Sequence, residues 1–405
     1  MIAVAPRPSG TLSSAPARSD AVGVVELFAG LGSVARSFHR TAGVGPILLS
    51  DVDAVARDTC LENWHGVRYE LRDARDLRAS DVLDAADGRG VVGLLGCPPC
   101  QGFSAAGQRN LRDARNDLLV EYFRLLLALR PAFFVMENVP SVFRYDLRRE
   151  LLAVGSRGYQ VWRGVLNGAL YGLPQTRQRA IVIGYRRDLG ARPGPPTPTH
   201  FGRRPVFDYA SKRMLRPSAA SIAAILGPYP DLGLLDDAID RVEPAQASTK
   251  NLVVVEDALA DLPDAGTGDL QYASQARSAY ARRLRDDSVG VVNHEPWRHR
   301  SDLVDRLATV PEGGEPGALA GRARSRRYYS QAYARLHRRG LARTITTNFH
   351  NPGSGRFLHP TSLRTLTVRE AARLQGIEDS FRFIASSKLC HGSRVAPGTR
   401  RGPDG

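Results

Sequence analysis

Lysine is almost missing from this 405-residue chain: it occurs only at Lys212, Lys250 and Lys388, although Lys and Arg together number 56. The formal net charge of +15 is therefore nearly all guanidinium. Such an excess favours a polyanionic partner, although a GC-rich genome gives the same Arg-for-Lys bias, so only the net charge is informative. Cysteine is also scarce, with four residues at 60, 97, 100 and 390. Four cysteines without framework spacing exclude a disulfide scaffold and point to a reducing compartment. A four-cysteine zinc site is excluded too, because Cys60 and Cys390 are isolated and form no second pair. No stretch approaches the roughly twenty apolar residues of a membrane helix. The first twenty residues, rich in Pro, Ser and Ala, lack a long apolar core and read as a disordered tail and not a signal peptide. A cytoplasmic location is expected.

Against these absences stands one dense stretch, Gly96-Cys-Pro-Pro-Cys-Gln-Gly-Phe-Ser104. It follows an apolar run, Val91 to Leu95, that reads as a short buried strand stopped by two prolines, which fix φ and cannot donate to a sheet ladder. Cys100 thus lies just past a strand end, where open α/β sheets bind ligands. Three readings fit: a catalytic thiol at Cys100, a Cys97/Cys100 redox pair, or a structural loop.

Upstream, Val22 to Phe28 reads as a first strand and Ala29-Gly-Leu-Gly-Ser33 as a glycine turn into a helix over 34 to 41. A second strand, Ile47 to Asp51, ends in an acid, and Asp73 follows at a similar place. Strand, tight turn and helix bring backbone close to a nucleotide-like ligand, and an acid at the next strand end can accept from a ribose diol. Downstream, 116 to 130 has helical spacing. Ala132 to Met136 then reads as a buried strand leading to Glu137-Asn-Val139. Adjacent parallel strands would bring Glu137 and Cys100 into one crevice, the lesser alternative being an acid that caps the next helix. Gln175, Arg177 and Arg179 alternate before a strand at 180 to 185, which predicts that they share one face.

Taken in order, Phe28-Ala-Gly-Leu-Gly32, Pro99-Cys-Gln-Gly-Phe-Ser104, Glu137-Asn-Val139, Gln175-Thr-Arg-Gln-Arg179 and Arg364-Thr-Leu-Thr-Val-Arg-Glu-Ala-Ala-Arg-Leu-Gln375 resemble the DNA (cytosine-5)-methyltransferase family. The resemblance spans 22 to about 385 with one variable gap. It implies an α/β, Rossmann-like S-adenosylmethionine-dependent methyltransferase sheet with a smaller, irregular target-recognition domain inserted. The implied division is a disordered tail at 1–20, a catalytic domain at 21–186, a target-recognition domain at 187–343, a return to the catalytic domain at 344–388, and a disordered, atypical end at 389–405. Val255 to Pro263 is expected to form a short structural helix.

By the same resemblance Cys100 adds to cytosine C6, Glu137 supports N3, Arg179 contacts O2 and Arg177 supports the loop. Phe28 faces the adenine of S-adenosylmethionine, Gly30 and Gly32 admit its methionine end, Asp51 binds the ribose and Asp73 the adenine amino group, with Pro98 beside the cofactor. Gln101, Ser104 and Gln175 are implied substrate contacts. The segment 322 to 343 holds eight arginines and no acid, with Tyr328, Tyr329 and Tyr333 among them. Arg324, Arg326 and Arg327 are its candidate phosphate contacts. Double-stranded DNA with a flipped cytosine is the implied partner, flipping costing a few kcal/mol. A monomer, no metal, no membrane and a cognate restriction endonuclease complete the expectation. Past Phe383 the chain departs from the family's usual Gly-Asn-Ala-Val-Pro continuation and ends in a polar, glycine-rich tail. A truncated relative that only binds DNA is the alternative this raises.

Overall fold

The computed structural model describes residues 22–99, 117–144, 147–226, 249–266, 270–286, 288–316 and 331–384. Its first half is a run of strands and helices: β1 (Val22–Leu27), α1 (Ser33–Ala42), β2 (Pro46–Asp51), α2 (Ala54–Asn63), β3 (Tyr69–Leu71), α3 (Ala79–Ala86), β4 (Gly90–Gly96), α4 (Asp117–Leu129), β5 (Phe133–Asn138), α5 (Arg148–Ser156), β6 (Tyr159–Asn167) and β7 (Gln178–Arg186). Local chemistry sets the ends. α2 starts where the Asp53 carboxylate accepts from the Val55 and Ala56 N–H groups, and α1 stops at Gly43 in the left-handed conformation.

The strands form one seven-stranded sheet in the order β3-β2-β1-β4-β5-β7-β6. β1 to β5 pair in parallel, whereas β7 runs antiparallel to both β5 and β6. The strand order reverses beside β1, so a crevice opens past the carboxyl ends of β1 and β4, where Leu27 registers with Gly96. Tyr122 on α4 fixes this region: its hydroxyl donates to the Leu94 and Val135 carbonyls, both at 3.1 Å. Any side chain at Gly96 would meet the same ring at 2.7 Å.

One face of the sheet packs under α3, α4 and α5 into a core containing Leu94, Tyr122, Phe134, Met136 and Val182. The other face carries α1 and α2 over a smaller cluster with Val24, Leu49 and Leu95. Further along that face Phe133, Val135, Ile181 and Ile183 are half-buried.

After Arg186 regular structure thins. Two small sheets pair β8 (His200–Phe201) with β11 (Lys250–Asn251) and β9 (Val206–Asp208) with β10 (Arg213–Leu215). Short helices surround them: α6 (Ala219–Leu226), α7 (Val255–Leu259), α8 (Ala279–Arg285), α9 (Ser301–Ala308) and α10 (Val368–Leu374). α7 is the short helix expected from Val255 onward. Few ladders leave many backbone carbonyls to satisfy, and buried guanidinium groups do this. Arg335 donates to the carbonyls of Leu307, Val310, His359 and Ser362 at 2.6 to 2.8 Å. Arg356 reaches Gly313, Gly314 and Arg335, and Arg373 lies between Asp261 and Asp379.

The segment after residue 344 packs partly away from the sheet and partly against it. Leu366, Ala371 and Leu374 pack with Val253, Tyr280 and Leu336 in a cluster separate from the sheet's core. Glu378 to Phe383 make the approach: Arg40 pairs with Glu378, and Asn63 and Arg382 exchange two bonds at 2.6 and 2.7 Å.

Candidate active site

Two groups of side chains meet at the crevice. The first is built on the glycine turn after β1. Phe28, Gly30 and Gly32 all have positive φ, at 55°, 51° and 69°. The turn is tied to the neighbouring strands, because Asp51 Oδ2 accepts from the Gly30 N–H at 2.8 Å and Tyr69 Oη donates to the Gly30 carbonyl at 2.8 Å. Asp51 Oδ1 also accepts from the Val52 and Asp53 N–H groups. Around the Gly30 Cα the space is open, whereas a Cβ on Gly32 would meet Cys60 Sγ at 2.8 Å. This is a backbone cradle with room for a ligand and an acid at its rim, and it fits a nucleoside-bearing cofactor. Asp73, just past β3, accepts from the Arg75 N–H and pairs with the Arg75 guanidinium at 3.0 Å.

The sequence reading missed one member of this group. Glu26 is buried near the carboxyl end of β1, its Oε2 accepting from the Ala35 N–H at 2.7 Å at the start of α1. Burial pushes its carboxyl up to about 8, although backbone donors from Ala35 and Val34 pull it down. A charged residue inside the apolar run Val22 to Leu27 was the available signal.

The second group sits where β4 and β5 end and β7 begins. Arg177 Nη2 and Arg179 Nε both approach Glu137 Oε1, at 3.3 and 2.7 Å. The alternation before β7 places these two arginines together, but Gln175 does not join them. Gln175 is fully buried, its Nε2 donating to the Leu374 carbonyl and its Oε1 accepting from the Ile345 N–H. The expectation of one shared face is corrected there, because residues 175 and 176 precede β7 and pair instead with the segment around Ala342. Burial, then the charge of Arg179, draws the Arg177 guanidinium below its usual range, and Glu137 opposes this.

Pro98 is buried, and its carbonyl accepts from Asn138 Nδ2 at 3.1 Å. Asn138 and Cys97 are two further residues of the site that the motif reading left without a role. Cys97 is partly buried, and its thiol is raised well above the usual range by burial and next by the Glu137 carboxylate. Cys100, Gln101 and Ser104 lie outside the described residues, as do Arg324, Arg326 and Arg327. The described part of the loop, Cys97 to Pro99, starts against Glu137. Arg335 of the arginine-rich segment is a buried structural residue and not a phosphate contact.

The family model for C-5 cytosine-specific DNA methylases matches residues 22–395. This chain belongs to that family. The type II methyltransferase M.DdeI of Desulfomicrobium norvegicum is 28% identical over 387 residues, covering 89% of this chain and 79% of that protein. M.XorII of Xanthomonas oryzae is likewise 28% identical, covering 91% and 79%. DNA (cytosine-5)-methyltransferase 1 of Mus musculus is 26% identical over 89% of this chain, although only 26% of its own length is matched. Among solved structures, a DNA modification methyltransferase encoded within an E. coli prophage superposes with a TM-score of 0.64 at 21% identity, covering 89% and 90% of the two chains. The fold is therefore the α/β methyltransferase sheet, and the chain is a DNA (cytosine-5-)-methyltransferase of an S-adenosylmethionine-dependent family. No described helix is long and apolar enough to cross a membrane.

Proposed function

We propose that this chain methylates carbon 5 of a cytosine within a specific double-stranded DNA sequence, as the modification half of a restriction-modification system. The observation that carries the site is the double guanidinium grip on Glu137 at the start of the Cys97–Cys100 loop. Cytosine C5 is a weak nucleophile, so the ring must first be activated. Cys100 adds through its thiolate to C6, and the charge this puts on the ring falls on N3 and O2. Glu137 holds a proton at N3, and a guanidinium of Arg179 donates to O2. Arg177 fixes Glu137 and the strand start. S-adenosylmethionine supplies an electrophilic methyl group when bound. Phe28, Gly30, Gly32, Asp51 and Asp73 hold it in the crevice beside β1, with Pro98 at its edge. Loss of the C5 proton and departure of Cys100 then restore the ring.

Charge supports the DNA substrate, since a net +15 favours a polyanion. Arg324, Arg326 and Arg327 contact its phosphates, with Gln101 and Ser104 near the flipped base. The similarity to M.DdeI and M.XorII, both type II methyltransferases, supports a cognate endonuclease acting on the same site.

The test is a DNA duplex with 5-fluorocytosine at the target, incubated with cofactor, denatured and digested for mass spectrometry. Fluorine cannot leave as a proton, so a stable adduct on the Cys100 peptide is expected. No adduct, or one that survives Cys100→Ser, overturns the mechanism. Bisulfite sequencing of DNA from cells expressing the chain reads the recognised sequence.

A further inference from the structure

Two strands end side by side at the crevice. Gly96, the last residue of β4, registers with Met136 of β5, so the next residues along, Cys97 and Glu137, are neighbours. The Cys97 side chain lies close enough to the Glu137 carboxylate for that charge to act on its thiol. One residue further on, Asn138 Nδ2 donates to the Pro98 carbonyl at 3.1 Å. The two strand ends are thus linked by the Asn138–Pro98 bond, with Cys97 and Glu137 facing each other one residue before it.

On its other side Glu137 registers with Ile181 of β7, and both arginines that grip it come from the start of that strand. They converge on one oxygen, Oε1, which fixes where that oxygen lies but leaves the carboxyl free to turn about it. A donor from the β4 side removes that freedom. Burial and the Glu137 charge keep the thiol protonated, which makes it a donor and a poor nucleophile.

We propose that Cys97 is a positioning residue: its S–H donates to Glu137 from the β4 side and, against the arginines on the β7 side, holds the carboxyl in the one orientation that meets cytosine N3. This rests on the role given to Glu137 above. It also separates the two cysteines of the loop, one a nucleophile and the other a fixed donor, in place of a redox pair.

A double-mutant cycle on the full chain tests this, with single-turnover methyl transfer to a target duplex as the readout. Cys97→Ala is expected to lower the transfer rate about tenfold, with the KM values for cofactor and DNA unchanged. Cys97→Ser, which keeps a donor, should recover to within about threefold of the parent. In a Glu137→Gln background Cys97→Ala should cost little more. Equal rates for the Ala and Ser variants, or full additivity of Cys97→Ala with Glu137→Gln, would overturn the inference. Should Cys97→Ala fail to fold, Cys97→Val takes its place, and additivity counts against the inference equally. Failure of the underlying reading looks different: Glu137→Gln alone would then transfer at the parental rate.

Discussion

Gln175 and Leu374 are 199 residues apart in sequence and are joined by a hydrogen bond of 3.1 Å, from the Gln175 Nε2 to the Leu374 carbonyl. The same side chain accepts from the Ile345 N–H at 3.2 Å. One buried amide thus closes the strand that presents Arg177 and Arg179 against the segment from Ile345 to Leu374.

Gln175→Leu should therefore act on stability before chemistry. It leaves a buried N–H and a buried carbonyl without partners, at about 1–3 kcal/mol for each. Thermal unfolding should begin several degrees lower, while the KM for DNA of the folded enzyme stays within about twofold. A normal melting curve with a raised KM would return Gln175 to the substrate contacts.

Gly32→Ala should lose cofactor binding. The backbone there has φ +69°, and the added Cβ would meet Cys60 Sγ at 2.8 Å and Leu49 Cδ1 at 3.0 Å. A strained left-handed alanine costs about 1 kcal/mol or more, and relieving it displaces the turn. Calorimetric titration with S-adenosylmethionine should show binding weaker by at least about tenfold, and Gly43→Ala, far from the crevice, serves as the strain control.

Glu26 should make stability fall as pH rises. Its folded value of about 8 lies above the ordinary 4.5, so the unfolded chain loses this proton first. Its contribution is complete below about pH 4.5 and is lost progressively up to about pH 8, on the order of a few kcal/mol. Glu26→Gln keeps an acceptor for the Ala35 N–H and cannot ionise. Urea unfolding at pH 5, 6.5 and 8 should show a smaller loss of stability for the variant; identical pH dependence would mean that Glu26 is ionised in the folded protein.

Neutralising Arg324, Arg326 and Arg327 together should weaken DNA binding and flatten its salt dependence. Every phosphate that no longer meets a guanidinium takes about 0.9 off the slope of log K against log salt. Arg335 needs no place in this set, since its guanidinium serves four backbone carbonyls. An unchanged slope would make the three arginines ordinary surface charge.

Strands β1, β2, β4 and β5 were legible because each is an apolar run ended by a glycine, proline or acid. Arg177 and Arg179 were legible as a pair because period-2 alternation survives into β7. Gln175 was not: strand alternation holds only inside a strand, and the two residues before β7 turn away to pair with Ala342. The region after Arg186 was illegible for a related reason. Its core depends on guanidinium groups reaching carbonyls 21 to 43 residues away, as with Arg335 and Arg356, and a lone arginine in sequence reads as surface charge. Cys97 was read only as half of a dithiol, since its partner across the sheet is set by register and not by spacing.

The reciprocal bonds between Asn63 and Arg382 span 319 residues and bring the far end of the described chain back to α2. With Gln175 on Leu374 and Arg40 on Glu378, they clasp the segment from Leu374 to Arg382 onto the first half of the chain, so that the stretch between is closed by side chains at both ends. A single cut at an exposed residue between Arg187 and Pro352 should therefore leave two fragments that these side-chain bonds still join.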